Sequence, residues 1–428
     1  MQERKPLTMR RNFSWTLVGN VVYAASQWGV LVVLAKLGSP EMVGQFTLGL
    51  AVTAPVMILF NLALRQVQAT DANGEYQFSD YLSLRLITTT FALLVIAVIV
   101  SLAGYSWQTS LVILVVGLAK AFESISDVFY GLLQQHEQMD RIAISMMIKG
   151  SVSLLMLSIG VYLTGSVLGG AVGLVIAWAF VLVSYDIYSG ALILNIPLLP
   201  MLLGKMGRNI RFSIKQPYRK LKTLRKLVEM ALPLGFAAML VSLNANIPRY
   251  FIERYLGVRE LGIFAAMSYL MVAGGIVVGA LGQSAVPRFA KYYLEKNLAA
   301  FYTLLFKLSG IGVLFGGVGV LGALVAGRQI LTLLYTPEYA EYANVFLWLM
   351  VAAGLGYIGS FLGCGIIGTR AYRYFTIPYL VMTLITVAAS LLLIPDFGLV
   401  GAAWTSCIIS LASCVMPIII LITLRRYL

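Results

Sequence analysis

The sequence is short of charge. Asp, Glu, Lys and Arg together make up 11% of its 428 residues, where a soluble domain carries about 25%. Such a chain cannot wrap a polar shell around a core. That excludes a soluble globular enzyme and, with so many apolar residues, a disordered protein. Histidine is nearly absent. With only His136, a catalytic triad or a His-ligated metal site is not expected. Cysteine is scarce too. Cys364, Cys407 and Cys414 all fall in apolar runs, which points to packing rather than to a disulfide framework or a metal site. No Gly-x-x-x-x-Gly-Lys-Ser/Thr phosphate loop occurs, so no nucleotide-driven motor and no cofactor are expected. Acidic residues are the rarer sign: 17 against 31 basic, a formal net charge of +14. In water that imbalance would suggest a nucleic-acid partner. In a chain that otherwise avoids charge it reads as cytoplasmic-loop bias, with no nucleic acid involved.

What the sequence has in abundance is apolar length. Hydrophobic residues make up 60%, and the mean hydropathy is +0.89. A spanning helix needs about 20 such residues. Twelve stretches qualify: about 13–37, 42–64, 82–104, 108–133, 142–164, 168–190, 227–252, 261–284, 303–326, 342–368, 374–395 and 399–424. The alternating pattern of a membrane barrel is missing. The sequence therefore predicts an all-α integral membrane protein of about twelve transmembrane helices. The N-terminal Arg4, Lys5, Arg10 and Arg11 precede an apolar run longer than a cleavable signal core, which reads as a retained first span.

Basic residues set the orientation. With both termini in the cytoplasm, and with Lys36, Arg85 and Lys307 at span ends counted with the adjoining segments, only Lys36, Arg254, Arg259 and Arg328 fall in outer segments, and only Lys120, Lys149 and Arg249 fall inside spans. The other basic residues, Arg65 and Arg85 among them, lie in segments placed on the cytoplasmic side. Residues 204–226 read GKMGRNIRFSIKQPYRKLKTLRK, with nine basic residues and no acidic one. This segment fits an amphipathic linker on anionic lipid headgroups, worth up to about 1 kcal/mol per basic residue near the surface. It divides the chain into 1–203, 204–226 and 227–428.

The two halves look alike. Residues 37–46, LGSPEMVGQF, match 256–264, LGVRELGIF; each lies between the first and second span of its half. Leu168-Gly169-Gly170-Ala171 opens the sixth span as Leu399-Val400-Gly401-Ala402 opens the twelfth. Two pseudo-symmetric six-helix lobes in parallel orientation account for both pairs, an arrangement found in alternating-access transporters.

Four stretches, taken in order, resemble a known family. They are LGSPEMVGQFTLGLAVTAPV (37–56), AKAFESISDVFYGLLQQHEQMDRIAISMMIKG (119–150), Leu232-Pro233-Leu234-Gly235 with NANIPRYFIERYLGVRELGIFAA (244–266), and PDFGLVGAAWTSCIIS (395–410). Together they are similar to Wzx-type oligosaccharide flippases. That superfamily also holds multidrug exporters and peptidoglycan-precursor flippases. The resemblance implies a twelve-helix, two-lobed fold in the bacterial cytoplasmic membrane. It implies translocation of undecaprenyl-pyrophosphate-linked oligosaccharide from the inner to the outer leaflet. The prenyl tail would stay in the bilayer beside the first and eighth spans. Other polysaccharide-assembly membrane proteins are implied as partners. The same fold leaves open an ion-coupled small-molecule exporter or a peptidoglycan-precursor flippase.

Charge at membrane depth costs about 2.5–3.5 kcal/mol on insertion scales, so each such residue is a candidate site. Lys120, Glu123 and Asp127 lie at i, i+3 and i+7 on one face of the fourth span, and Gln134 extends the stripe. Lys120 is expected to pair with Glu123. Lys149, in the fifth span, is expected to supply a second cation. The group reads either as an ion-pair network or as a cavity wall that binds diphosphate or sugar. Pro248 is expected to loosen the seventh span. Arg249 beside it either snorkels or grips a diphosphate. Asn20 and Gln27 in the first span fit sugar recognition or interhelical hydrogen bonding. Arg65 is a receiver for the diphosphate or a topology anchor. Asp186 is expected at headgroup level, in water. Gly312 with Gly316, and Gly359 with Gly363, fit close helix packing.

Overall fold

A computed structural model describes residues 9–71, 74–194, 217–369 and 376–425. Among them there is no strand. The helices are α1 (Met9–Leu37), α2 (Pro40–Asn61), α3 (Leu64–Thr70), α4 (Phe78–Ala103), α5 (Trp107–Gln135), α6 (Met139–Thr164), α7 (Val167–Val181), α8 (Ile187–Leu194), α9 (Pro217–Tyr255), α10 (Val258–Leu294), α11 (Leu298–Leu334), α12 (Ala343–Gly368) and α13 (Thr376–Arg425). A π-helical turn, Leu182–Asp186, joins α7 to α8, and a 3-10 turn, Pro337–Tyr342, leads into α12.

The sequence supplies the ends of these helices. Ser106 and Ser166 cap α5 and α7, each accepting a backbone N–H from inside the helix. Gly104 and Gly165 close α4 and α6 in the left-handed conformation. Ten stretches among the described residues are long and apolar enough to cross a membrane. Helix α5 is not among the ten, although it has 29 residues; Lys120, Glu123 and Asp127 lower its hydropathy. Helix α13 counts once over 50 residues, but Gly398 breaks it with φ 58°. That break falls between the stretches expected as separate spans, 374–395 and 399–424. Most of the basic linker, residues 204–216, lies outside the described residues.

The chain forms two compact units. The first comprises Met1–Val33 and Gly49–Ser242; the second comprises Leu34–Leu48 and Leu243–Leu428. In the first, α5 packs against α3, α4 and α7, and α6 packs along α7. In the second, α12 packs against α10, α11 and α13. Its core includes Phe289, Phe301, Leu308 and Phe361.

The repeated motif meets itself inside the second unit. A Cβ on Gly44 would stand 1.8 Å from the Val258 carbonyl oxygen, and one on Gly262 would stand 1.9 Å from that of Pro40. Each glycine thus approaches the carbonyl four residues upstream of the other. Only a residue without Cβ permits this contact. Of the other glycines, Gly316 faces Gly354 and Gly359 faces Ser413, as expected of small-residue packing. Gly363 meets nothing within 4 Å, so the expected pairing of Gly359 with Gly363 holds at one member only.

Candidate functional site

The first unit contains a cavity of about 290 Å³. Four stretches of chain line it. Helix α1 contributes Tyr23, the end of α2 with α3 contributes Asn61 and Arg65, α5 contributes Lys120, Glu123, Asp127 and Tyr130, and α6 contributes Met146 and Lys149. The α5 residues share a face because their spacing follows the helical period.

Arg65 reaches the cavity through a break in the chain. Helix α2 ends at Asn61. Leu62 and Ala63 then take left-handed conformations, φ 53° and 48°, and α3 restarts at Leu64. Two such residues in succession cost about 1–2 kcal/mol each. Past the break, Arg65 Nε donates to Gln134 Oε1 at 3.0 Å and Nη1 donates to Asp127 Oδ1 at 3.4 Å. Its guanidinium lies 5.4 Å from the centre of the Tyr130 ring. Just beyond α3, Asp71 accepts the N–H groups of Glu75 and Tyr76 and the Tyr81 hydroxyl. Burial raises the Asp71 pKa, but these donors outweigh it and hold the carboxyl below its ordinary value.

Three charge groups follow. Lys120 Nζ donates to Glu123 Oε2 at 2.7 Å and lies 5.0 Å from the Trp178 ring centre. The Tyr23 hydroxyl donates to the other Glu123 oxygen at 2.7 Å. Asp127 is held from both sides, by Arg65 and by Arg85 Nη2 at 3.3 Å. Arg85 is fully buried on α4 and also donates to Asn61 Oδ1. Lys149 Nζ stands 3.7 Å from Asp186 Oδ2, both side chains being buried. Ser145 donates to the other Asp186 oxygen and lies 2.8 Å from the Tyr130 hydroxyl. In all, four cations face three carboxylates. Of these, Arg65, Lys120 and Lys149 line the cavity with Glu123 and Asp127, and the surplus positive charge there favours an anionic guest.

The structure brings Arg65, Lys120, Glu123, Asp127 and Lys149 together, and Lys120 pairs with Glu123 as expected. It corrects three other readings. Asp186 is fully buried and ion-paired, not solvated at headgroup level. The π-turn that ends at Asp186 adds a residue to the helical turn and re-aims the side chains there. Arg85 does not face water at a span boundary; it is the buried partner of Asp127. Lys149 serves Asp186, not the surplus acid of α5, whose cations are Arg65 and Arg85. Tyr23 gave no signal beyond its place on an apolar helix.

Asn20 is exposed and Gln27 half-buried, and neither lines this cavity. Arg249 belongs to the second unit and donates to Asn246 Oδ1 at 3.0 Å. Buried Asn244 nearby has no hydrogen-bond partner for either amide atom. Helix α9 runs without interruption through Pro248. Among the described residues no group of three or more His, Cys, Asp or Glu could hold a metal.

Residues 9–293 match the family described as polysaccharide biosynthesis protein. The chain belongs to this family. The capsular polysaccharide biosynthesis protein CapF of Staphylococcus aureus is 31% identical over 400 residues, covering 93% of this chain and 95% of CapF. The fold is that of several solved transporters. The lipid II flippase MurJ in an inward closed conformation has a TM-score of 0.68 at 13% identity, covering 96% of this chain and 87% of that one. An inward-facing multidrug resistance MATE family transporter of the MOP superfamily gives 0.67 at 16% identity, with 94% and 96% covered. A MOP superfamily transporter from Pyrococcus furiosus gives 0.62 at 16% identity, with 96% and 92% covered. The likeness to Wzx-type flippases read from the four stretches is thereby borne out. This member of the polysaccharide biosynthesis family is a multi-pass protein of the bacterial cytoplasmic membrane.

Proposed function

We propose that the protein moves polyprenyl-diphosphate-linked oligosaccharide repeat units from the inner to the outer leaflet by alternating access. The carrying observation is the cationic cavity around Arg65, Lys120 and Lys149, in a member of a polysaccharide biosynthesis family. The diphosphate binds among these cations and Arg249 takes it up in the second unit. Asn20 and Gln27 hydrogen-bond sugar hydroxyls. Pro248 loosens α9 for the conformational cycle. The chain crosses the membrane twelve times, counting α5 and both halves of α13, with both termini in the cytoplasm. It is organised as lobes 1–203 and 227–428. The basic linker 204–226 rests on anionic lipid, and other polysaccharide-assembly membrane proteins hand over and receive the substrate. No chemical conversion is involved. A multidrug-type role fits less well, because Glu123 and Asp127 are already paired with cations and would meet a cationic drug neutralised.

Reconstituted vesicles test this. A fluorescent lipid-diphospho-oligosaccharide, added to protein-containing and protein-free vesicles, is followed by a membrane-impermeant quencher. Leaflet exchange is expected only with protein, and is lost in Lys120→Ala and Arg65→Ala. Equal exchange without protein, or transport of a cationic dye in place of the lipid, overturns the proposal.

A further inference from the structure

The motif Leu232-Pro233-Leu234-Gly235 has no part in the cavity itself. Gly235 nevertheless lies against the break that delivers Arg65. A Cβ on Gly235 would stand 2.9 Å from Leu62 Cα and 3.1 Å from the Leu59 carbonyl oxygen. Leu62 is buried in a cluster with Leu64, Val128, Leu227 and Ala231. Helix α9 thus covers the strained pair with backbone at Gly235 and with side chains at Leu227 and Ala231.

Left-handed conformations at two successive residues with side chains persist only where the surroundings over-determine them. The local helix supplies little. Leu62 N–H bonds to the Leu59 carbonyl, and the Ala63 carbonyl accepts from Gln66 and Val67 as α3 begins. The remaining support is tertiary: the backbone of α9 at Gly235 with Leu227 and Ala231, together with Tyr81 and Leu84 of α4 and Val128 of α5. Without it, the lower-energy state of residues 62 and 63 is right-handed helix, and α2 runs straight into α3. The backbone change turns everything after residue 63 about the helix axis. Arg65 then leaves Asp127, Gln134 and the face of Tyr130.

We propose that Gly235 and the left-handed pair Leu62–Ala63 are positioning residues that hold the Arg65 guanidinium in the anion site, so that α9 controls one of the cavity's cations. The proposal rests on the reading of this cavity as a diphosphate site. Helix α9 continues to Tyr255 in the second unit. A displacement of this helix therefore acts on the cavity charge through residues 62 and 63, without touching the ligand.

The test measures binding of inorganic pyrophosphate to the purified full-length protein by calorimetry. Ala63→Pro cannot adopt positive φ and is expected to weaken binding at least tenfold, as Arg65→Ala does. Gly235→Ala, which presses a methyl group against Leu62, is expected to weaken it several-fold. Ala63→Gly removes the strain and is expected to bind as tightly as the natural chain or tighter. The deciding result is the double-mutant cycle. Ala63→Pro combined with Arg65→Ala should bind no more weakly than Arg65→Ala alone, and the same holds for Gly235→Ala. Additive losses overturn the proposal, because they mean that the break acts on the fold at large. Natural-level binding in Ala63→Pro overturns it as well. If Ala63→Pro fails to fold, the Gly235→Ala and Ala63→Gly arms decide alone. Absence of pyrophosphate binding in the natural chain, or no effect of Arg65→Ala, instead removes the anion-site reading beneath it.

Discussion

Asp186 and Lys149 illustrate the residue scale. In the sequence they are an acid and a base 37 positions apart in different spans. In the structure they share one buried cluster with Tyr130 and Ser145. Breaking such a pair leaves a buried uncompensated charge, at a cost of about 3–5 kcal/mol. Asp186→Ala is therefore expected to lower the unfolding midpoint in detergent by several degrees. Lys149→Met combined with Asp186→Ala, which removes both charges, should recover most of the loss. A midpoint unchanged in the single variant would show that the pair adds nothing to the fold. The stripe Lys120, Glu123 and Asp127 was legible because charge is rare and the spacing is helical. Arg85 was hidden because a basic residue near a span boundary looks the same whether it meets water or a carboxylate.

At the scale of elements, glycine spacing says that helices approach closely but not which partner they meet. Gly359 and Gly363 share a helix face by spacing, yet only Gly359 abuts a neighbour, the Ser413 backbone and hydroxyl on α13. Gly359→Ala is expected to lower thermal stability and Gly363→Ala to leave it unchanged within error. Equal effects would place the contact elsewhere. The repeat at 37–46 and 256–264 was readable as internal similarity. That the two copies pack against each other, Gly44 on Val258 and Gly262 on Pro40, was not. Similarity reports common form, whereas contact depends on where the rest of the chain carries each copy. The breaks at Leu62–Ala63 and at Leu182–Asp186 were not legible either. Neither carries glycine or proline, the usual marks of a break.

For the whole molecule, the distribution of basic residues predicts a topology that labelling can check. The chain's own cysteines lie in apolar helices. A membrane-impermeant thiol reagent on intact cells should label Glu341→Cys, in the turn before α12, and should label His136→Cys only after permeabilisation. The reverse pattern would invert the orientation. Both positions are exposed, so a missing signal reflects sidedness and not burial.

The helical membrane class, the internal repeat, the family and the α5 charge stripe can all be read along the chain. Each of these is a matter of composition, period or similarity, and all three are written along the chain. Tertiary structure decided which charges are partners, which of the expected residues line one cavity, and how Arg65 reaches it. Those depend on helix phase, on a two-residue left-handed break and on a π-turn. A phase change of one residue rotates a helical side chain by about 100°, and nothing local in the sequence marks where packing will impose it.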